Sequence, residues 1–163
     1  MRGRRILADE VVRAFETTGL APVAGVFYER DGDGTGPDKG CGLTAVAVAV
    51  GVEPICSMAD LQQTLGITRT YLESFADGWD AAAVSGPHVQ ETERPRGPVA
   101  RQGHDDGRAA FAAVLLARVR RLAGPGATPR AARQIIALEL ARLQGAPVPP
   151  PARAWRPALR KAA

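Results

Sequence analysis

Residues 61–80, LQQTLGITRTYLESFADGWD, place the tightest local constraint on this chain. Leu61, Leu65, Ile67, Leu72 and Phe75 are spaced so that two short helices turn apolar groups toward each other. Gly66 supplies the turn between them, where a residue without a Cβ adopts a left-handed conformation freely. Upstream, Ser57 and Asp60 form a capping-box pattern, the hydroxyl accepting from the third helical N–H and the carboxylate reaching back. Thr68 can cap the second helix, which is expected to run to about Val84. Tyr71, Phe75 and Trp79 then fall on one stripe that holds three of the eight aromatic residues. Gly78 within that helix costs about 1 kcal/mol relative to Ala, which points to close approach of another backbone or to a nearby helix end.

In spacing, these residues resemble a helix-turn-helix DNA-binding unit, over 20 of the 163 residues. The resemblance implies that the second helix turns Thr68, Arg69 and Thr70 toward a DNA groove. Gln62 departs from the pattern, which has a small residue there to let the helices close up. The charge is also wrong. Glu73 and Asp77 share the outer face, and Arg69 is the only base in residues 41–93. DNA affinity comes largely from cations that neutralise phosphates. The expected role of the segment is therefore packing, with the aromatic stripe inside and the acidic face in water or against arginines.

The remaining sequence reads as mainly helical. An amphipathic helix spans about residues 5–18, with Ile6, Val11, Phe15 and Leu20 near helical spacing and Gly19 as its stop. Residues 22–29 have strand composition, and residues 31–42 form a Gly- and Asp-rich loop. Residues 43–52, LTAVAVAVGV, alternate like a strand but are Ala-rich like a helix. A buried helix is the expected reading, with a strand that forms a short β-hairpin with residues 22–29 as the alternative. Residues 85–103 are expected to be a mobile loop. Asp105 or Asp106 then opens a helix through Leu122, with Phe111, Val114, Leu115, Val119 and Leu122 as its stripe. Gly124 and Gly126 mark a turn, and Thr128 with Pro129 starts a helix carrying Ile136, Leu140 and Leu143. The two make an antiparallel helical hairpin. A helical domain of residues 1–145 is thus followed by a Pro-rich basic tail, 146–163, of polyproline II type.

Charge divides the chain. Residues 1–40 carry −1, residues 41–93 carry −6, and residues 94–163 carry +11, giving the net +4. Such asymmetry points to an anionic partner for the C-terminal part, or to arginines that neutralise the acidic middle. The candidate anion- or partner-binding residues are Arg118, Arg120 and Arg121, with Arg153, Trp155, Arg156, Arg160 and Lys161 in the tail. A lone aromatic among cations suits a docking motif or a nucleic-acid contact.

No run of 18 apolar residues is present, so no membrane span is expected. The basic start lacks a signal peptide's long apolar core, because Asp9 and Glu10 interrupt it. Cys41 and Cys56 read as free thiols of a cytoplasmic chain. Asp31, Asp33 and Gly36 resemble the first half of a calcium-binding loop, but Gly42 stands where a Glu is needed. His104, Asp105 and Asp106 have no second cluster at ligand spacing, and the two carboxylates suit a helix cap. No metal, cofactor or catalytic group is expected. The leading expectation is a non-enzymatic interaction protein that binds a protein partner with an acidic surface through its basic C-terminal half. A nucleic-acid-binding regulator is the first alternative, and a small ligand- or metal-binding enzyme using His104 and the Asp-rich loop is the second.

Overall fold

A computed structural model describes residues 4–85 and 95–143. Six helices and one small sheet are present among them. Helix α1, Ala8–Thr18, ends at Gly19, whose left-handed φ of 72° lets its N–H reach the Phe15 carbonyl. Strands β1 (Ala21–Pro22), β2 (Tyr28–Glu29) and β3 (Lys39–Gly40) form a sheet in the order β1-β3-β2. β1 runs parallel to β3, and β2 runs antiparallel to it, pairing Tyr28 with Gly40. The β-hairpin is therefore real, but its second strand is residues 39–40 and not the Ala/Val run.

That run is helix α2, Gly42–Ala49. Its residues 42–47 are all buried. A helix enclosed on every side has no polar face, so its sequence carries no 3.6-residue period to read. Helix α3, Met58–Leu65, begins at Ser57, whose Oγ accepts from the Asp60 N–H at 3.2 Å while Asp60 Oδ2 accepts from the Ser57 N–H at 2.9 Å. It stops at Gly66, φ 65°. Helix α4, Arg69–Ser85, then buries Tyr71, Phe75 and Trp79 as one stripe.

Helix α5, Pro98–Ala123, starts well before the expected Asp105. Gly97 precedes it and Pro98 occupies its first turn, where a missing N–H costs nothing. Ala100, Gly103, Gly107 and Ala110 form its buried side in the first turns. Small residues carry the helical period there, which is why residues 98–103 read as a loop. Residues 86–94 of that expected loop lie outside the described residues, as does the tail from residue 144.

The α4–α5 crossing organises the core. α4 offers Tyr71, Phe75 and Trp79 at four-residue spacing, and α5 offers Gly103, Gly107 and Phe111 at the same spacing. A Cβ on Gly103 would lie 2.5 Å from the Tyr71 carbonyl oxygen, and one on Gly107 would lie 2.1 Å from that of Phe75. On the opposite side of the contact, a Cβ on Gly78 would lie 2.1 Å from the His104 oxygen. The cost of Gly78 in a helix thus returns as close backbone approach. The two Asp-Gly steps at residues 77–78 and 106–107 sit on this one contact. Trp79 packs edge-on to Phe111 at 5.2 Å and stacks near Phe15 at 5.9 Å, and its indole N–H donates to the Val23 carbonyl at 2.8 Å.

Helix α6, Pro129–Leu143, folds back along α5 to complete the expected hairpin. Thr128 Oγ1 accepts from the Ala131 N–H at 3.2 Å, as a capping threonine should. Two details of the expected stripes change. Leu122 is 57% exposed, and on α6 Ile135 is buried while Ile136 is exposed. Leu143 is fully buried, and its carbonyl accepts from the Ala24 N–H at 2.8 Å. Among the described residues, no helix is long and apolar enough to cross a membrane.

Candidate functional site

The expected partner-binding arginines on the hairpin do different jobs. Arg118 Nε donates to Glu139 Oε2 at 2.5 Å across the α5–α6 interface, and Arg142 approaches the same carboxylate at 3.6 Å. Glu139 is buried, so this cluster staples the hairpin. Burial and the nearby Arg118 charge pull the Arg142 pKa down. Arg121 lies 3.6 Å from Glu16 and links α5 to α1. Arg120 is exposed and has no carboxylate partner among the described residues. Arg153, Trp155, Arg156, Arg160 and Lys161 lie outside the described residues.

The alternative nucleic-acid residues are brought together at the start of α4. Thr68 serves as its cap, accepting from the Tyr71 N–H at 3.4 Å. Arg69 donates to Glu73 at 2.7 Å, one turn on, and Thr70 is exposed. The lone cation of this region is therefore tied to a carboxylate of its own helix.

What sequence reasoning missed is a groove. It has a volume of about 440 Å³ and runs between the end of α4, α5 and α6. Ala82, Arg108, Phe111, Leu115, Ile136 and Leu140 line it. Its floor is apolar because Phe111 and Leu115 on α5 face Leu140 and Ile136 on α6. Arg101, seven residues before Arg108, shares its side of α5, and Arg133 stands two turns before Leu140 on α6. Neither they nor Arg108 and Arg130 have a carboxylate partner among the described residues. The seven-residue spacing was legible, but the groove needed the pairing of two helices.

Asp106 and Asp105 do not cap a helix; both lie inside α5. Asp106 is buried at the N-terminal end of the α4–α5 crossing. Its Oδ1 accepts from Arg5 Nη2 at 2.5 Å, and its Oδ2 accepts from Arg5 Nε at 3.0 Å and from the Tyr71 hydroxyl at 2.5 Å. The Tyr71 oxygen in turn accepts from the Ile6 N–H at 3.0 Å. Burial and the adjacent carboxylate push the Tyr71 pKa up, while the Asp106 hydrogen bond raises that of Arg5. Each polar group in this cluster has its partner, and together they clasp the N-terminal segment to the α4–α5 crossing.

The Asp-rich loop is likewise held by its own bonds. Asp38 accepts from the Tyr28 hydroxyl at 2.5 Å and from the Asp31 N–H at 2.9 Å, which holds its pKa below the usual range. Asp31 accepts from the Gly36 N–H at 2.6 Å. Cys41 is buried, and desolvation raises its thiol pKa. Among the described residues, no three His, Cys, Asp or Glu side chains converge as a metal site.

The class these features define is a small, mainly helical domain with a basic hairpin that carries an open apolar groove. Compared with known proteins, the chain matches no family model, no curated sequence and no solved structure.

Proposed function

We propose that this chain is a non-enzymatic interaction protein that binds an acidic protein surface through its basic C-terminal half. The observation that carries this reading is the juxtaposition on one hairpin of exposed apolar side chains and arginines without carboxylate partners. Leu116, Leu122 and Ile136 are exposed there, on the same two helices as Arg101, Arg108, Arg120, Arg130 and Arg133. Across residues 98–143, eight arginines face three carboxylates, a balance of +5. Exposed apolar groups with arginine around them are what a protein interface needs, since arginine and apolar anchors are enriched there. The tail residues Arg153, Trp155, Arg156, Arg160 and Lys161 extend the same chemistry.

The test is affinity capture with the full chain and with a variant in which Arg101, Arg120, Arg130 and Arg133 become Glu. Loss of the same captured proteins from the variant supports the reading, and unchanged capture ends it. Those unpaired arginines also favour a second reading, nucleic-acid binding. A salt titration against duplex DNA and single-stranded RNA separates the two, because each phosphate contact steepens the salt dependence. No binding at low salt removes the second reading.

A further inference from the structure

We infer that the groove between the end of α4, α5 and α6 is the seat for an amphipathic helix with an acidic outer face, supplied by another protein. This inference rests on the interaction reading above and names the partner's chemistry. The groove is formed by an antiparallel helix pair, and a third helix laid along such a pair fills it with one apolar stripe. Phe111, Leu115, Ile136 and Leu140 would receive that stripe. Among the described residues, Arg108 is the one charged side chain in the groove's lining. Arg108 and Arg101 stand toward one end, and Arg133 stands toward the other, so carboxylates on the incoming helix would meet cations at both ends.

Two other occupants fit the charges poorly. Residues 146–163 of this chain carry four cations and no carboxylate, so the tail would bring like charge to an arginine rim. A second copy has its acidic face on α3 and α4, but Leu61, Leu65, Ile67 and Leu72 of that unit are buried and leave no apolar ridge to insert.

The probe is a synthetic helix of about 20 residues with leucine on one face and glutamate on the other, titrated against the full chain by fluorescence anisotropy. Its control keeps the leucines and replaces glutamate by lysine. The glutamate helix should bind at least about tenfold more tightly than the lysine helix. Ile136→Asp should weaken binding by about tenfold or more, with the helical circular dichroism unchanged. Should Ile136→Asp unfold the chain, Arg108→Glu at the groove rim gives the same reading. Equal binding of the two helices overturns the inference, as does binding indifferent to both substitutions. Tighter binding by Trp155→Ser would place the tail in the groove and also overturn it. So would a dimer that Ile136→Asp dissociates. If Arg120→Glu with Arg130→Glu abolishes capture of acidic proteins while Ile136→Asp does not, the interaction reading stands and the groove is not its seat.

Discussion

The molecule contains two helix pairs joined by short turns, and they finish differently. The α3–α4 pair is acidic, with Asp60, Glu73, Asp77 and Asp80 against Arg69 alone, and its apolar spacing residues Leu61, Leu65, Ile67, Leu72 and Phe75 are all buried. The α5–α6 pair is basic and leaves Leu116, Leu122 and Ile136 exposed. One pair completes its packing inside the chain; the other still has apolar surface to cover. A helix-turn-helix spacing therefore marks the architectural half, and the less conspicuous hairpin marks the half with free valence.

Substitutions can break that contrast. The largest effect is expected from Trp79→Ala, which empties a fully buried site where α1, α4 and α5 meet; a loss of about 3–5 kcal/mol in chemical denaturation is expected. Leu122→Ala on the open hairpin should change stability by no more than about 0.5 kcal/mol. Equal losses would erase the distinction between the pairs.

Gly107→Ala comes next. Helix propensity alone would make it stabilising by about 1 kcal/mol. The Phe75 carbonyl, 2.1 Å from the new Cβ, opposes it, and overpacking of this kind costs about 1–3 kcal/mol. The denaturation midpoint should therefore fall, and a rise would show that the crossing yields to the added methyl group.

Glu139→Gln should loosen the hairpin, because Arg118 and Arg142 lose their shared counter-charge. Both arginines keep some contact with water, so the expected loss is about 1–2 kcal/mol, between the exposed and buried limits. Faster amide exchange in α6 than in α4 would locate it there.

The smallest effect concerns Asp80, whose carboxylate accepts from the Gly25 N–H at 2.8 Å while burial raises its pKa. A raised carboxyl pKa means that the folded state holds its proton more tightly than the unfolded state. Its contribution to stability then falls as pH rises from 3.8 through the raised value. Asp80→Asn keeps an acceptor and removes the buried charge, so the variant should gain on the parent as pH rises through that window. A constant difference between the two across acid pH would sink this account.

Legibility in the sequence followed the size of the side chains. α3 and α4 could be read because Ser57, Gly66 and the aromatic stripe signal cap, turn and buried face with large or special groups. The opening turns of α5 could not, since Ala100, Gly103 and Gly107 carry the period with almost no hydropathy. α2 was ambiguous for the opposite reason: it is apolar on all sides. The positive charge of the C-terminal half was visible in its arginines. Which of them are already paired was not, because Glu139 and Glu16 reach Arg118 and Arg121 only after the helices pack. The groove belongs to three helices at once and has no signature in any one of them.

The clasp of Arg5, Tyr71 and Asp106 has a consequence for synthesis on the ribosome. Arg5 leaves the exit tunnel 101 residues ahead of its partner Asp106, and the Ala24 N–H waits still longer for the Leu143 carbonyl. Closing such long loops comes after local helix formation, whose entropic cost is smaller. The clasp on Arg5 is thus among the last contacts to close, while α1 can pack on α2, and Phe15 can meet Trp79 of α4, before α5 is made.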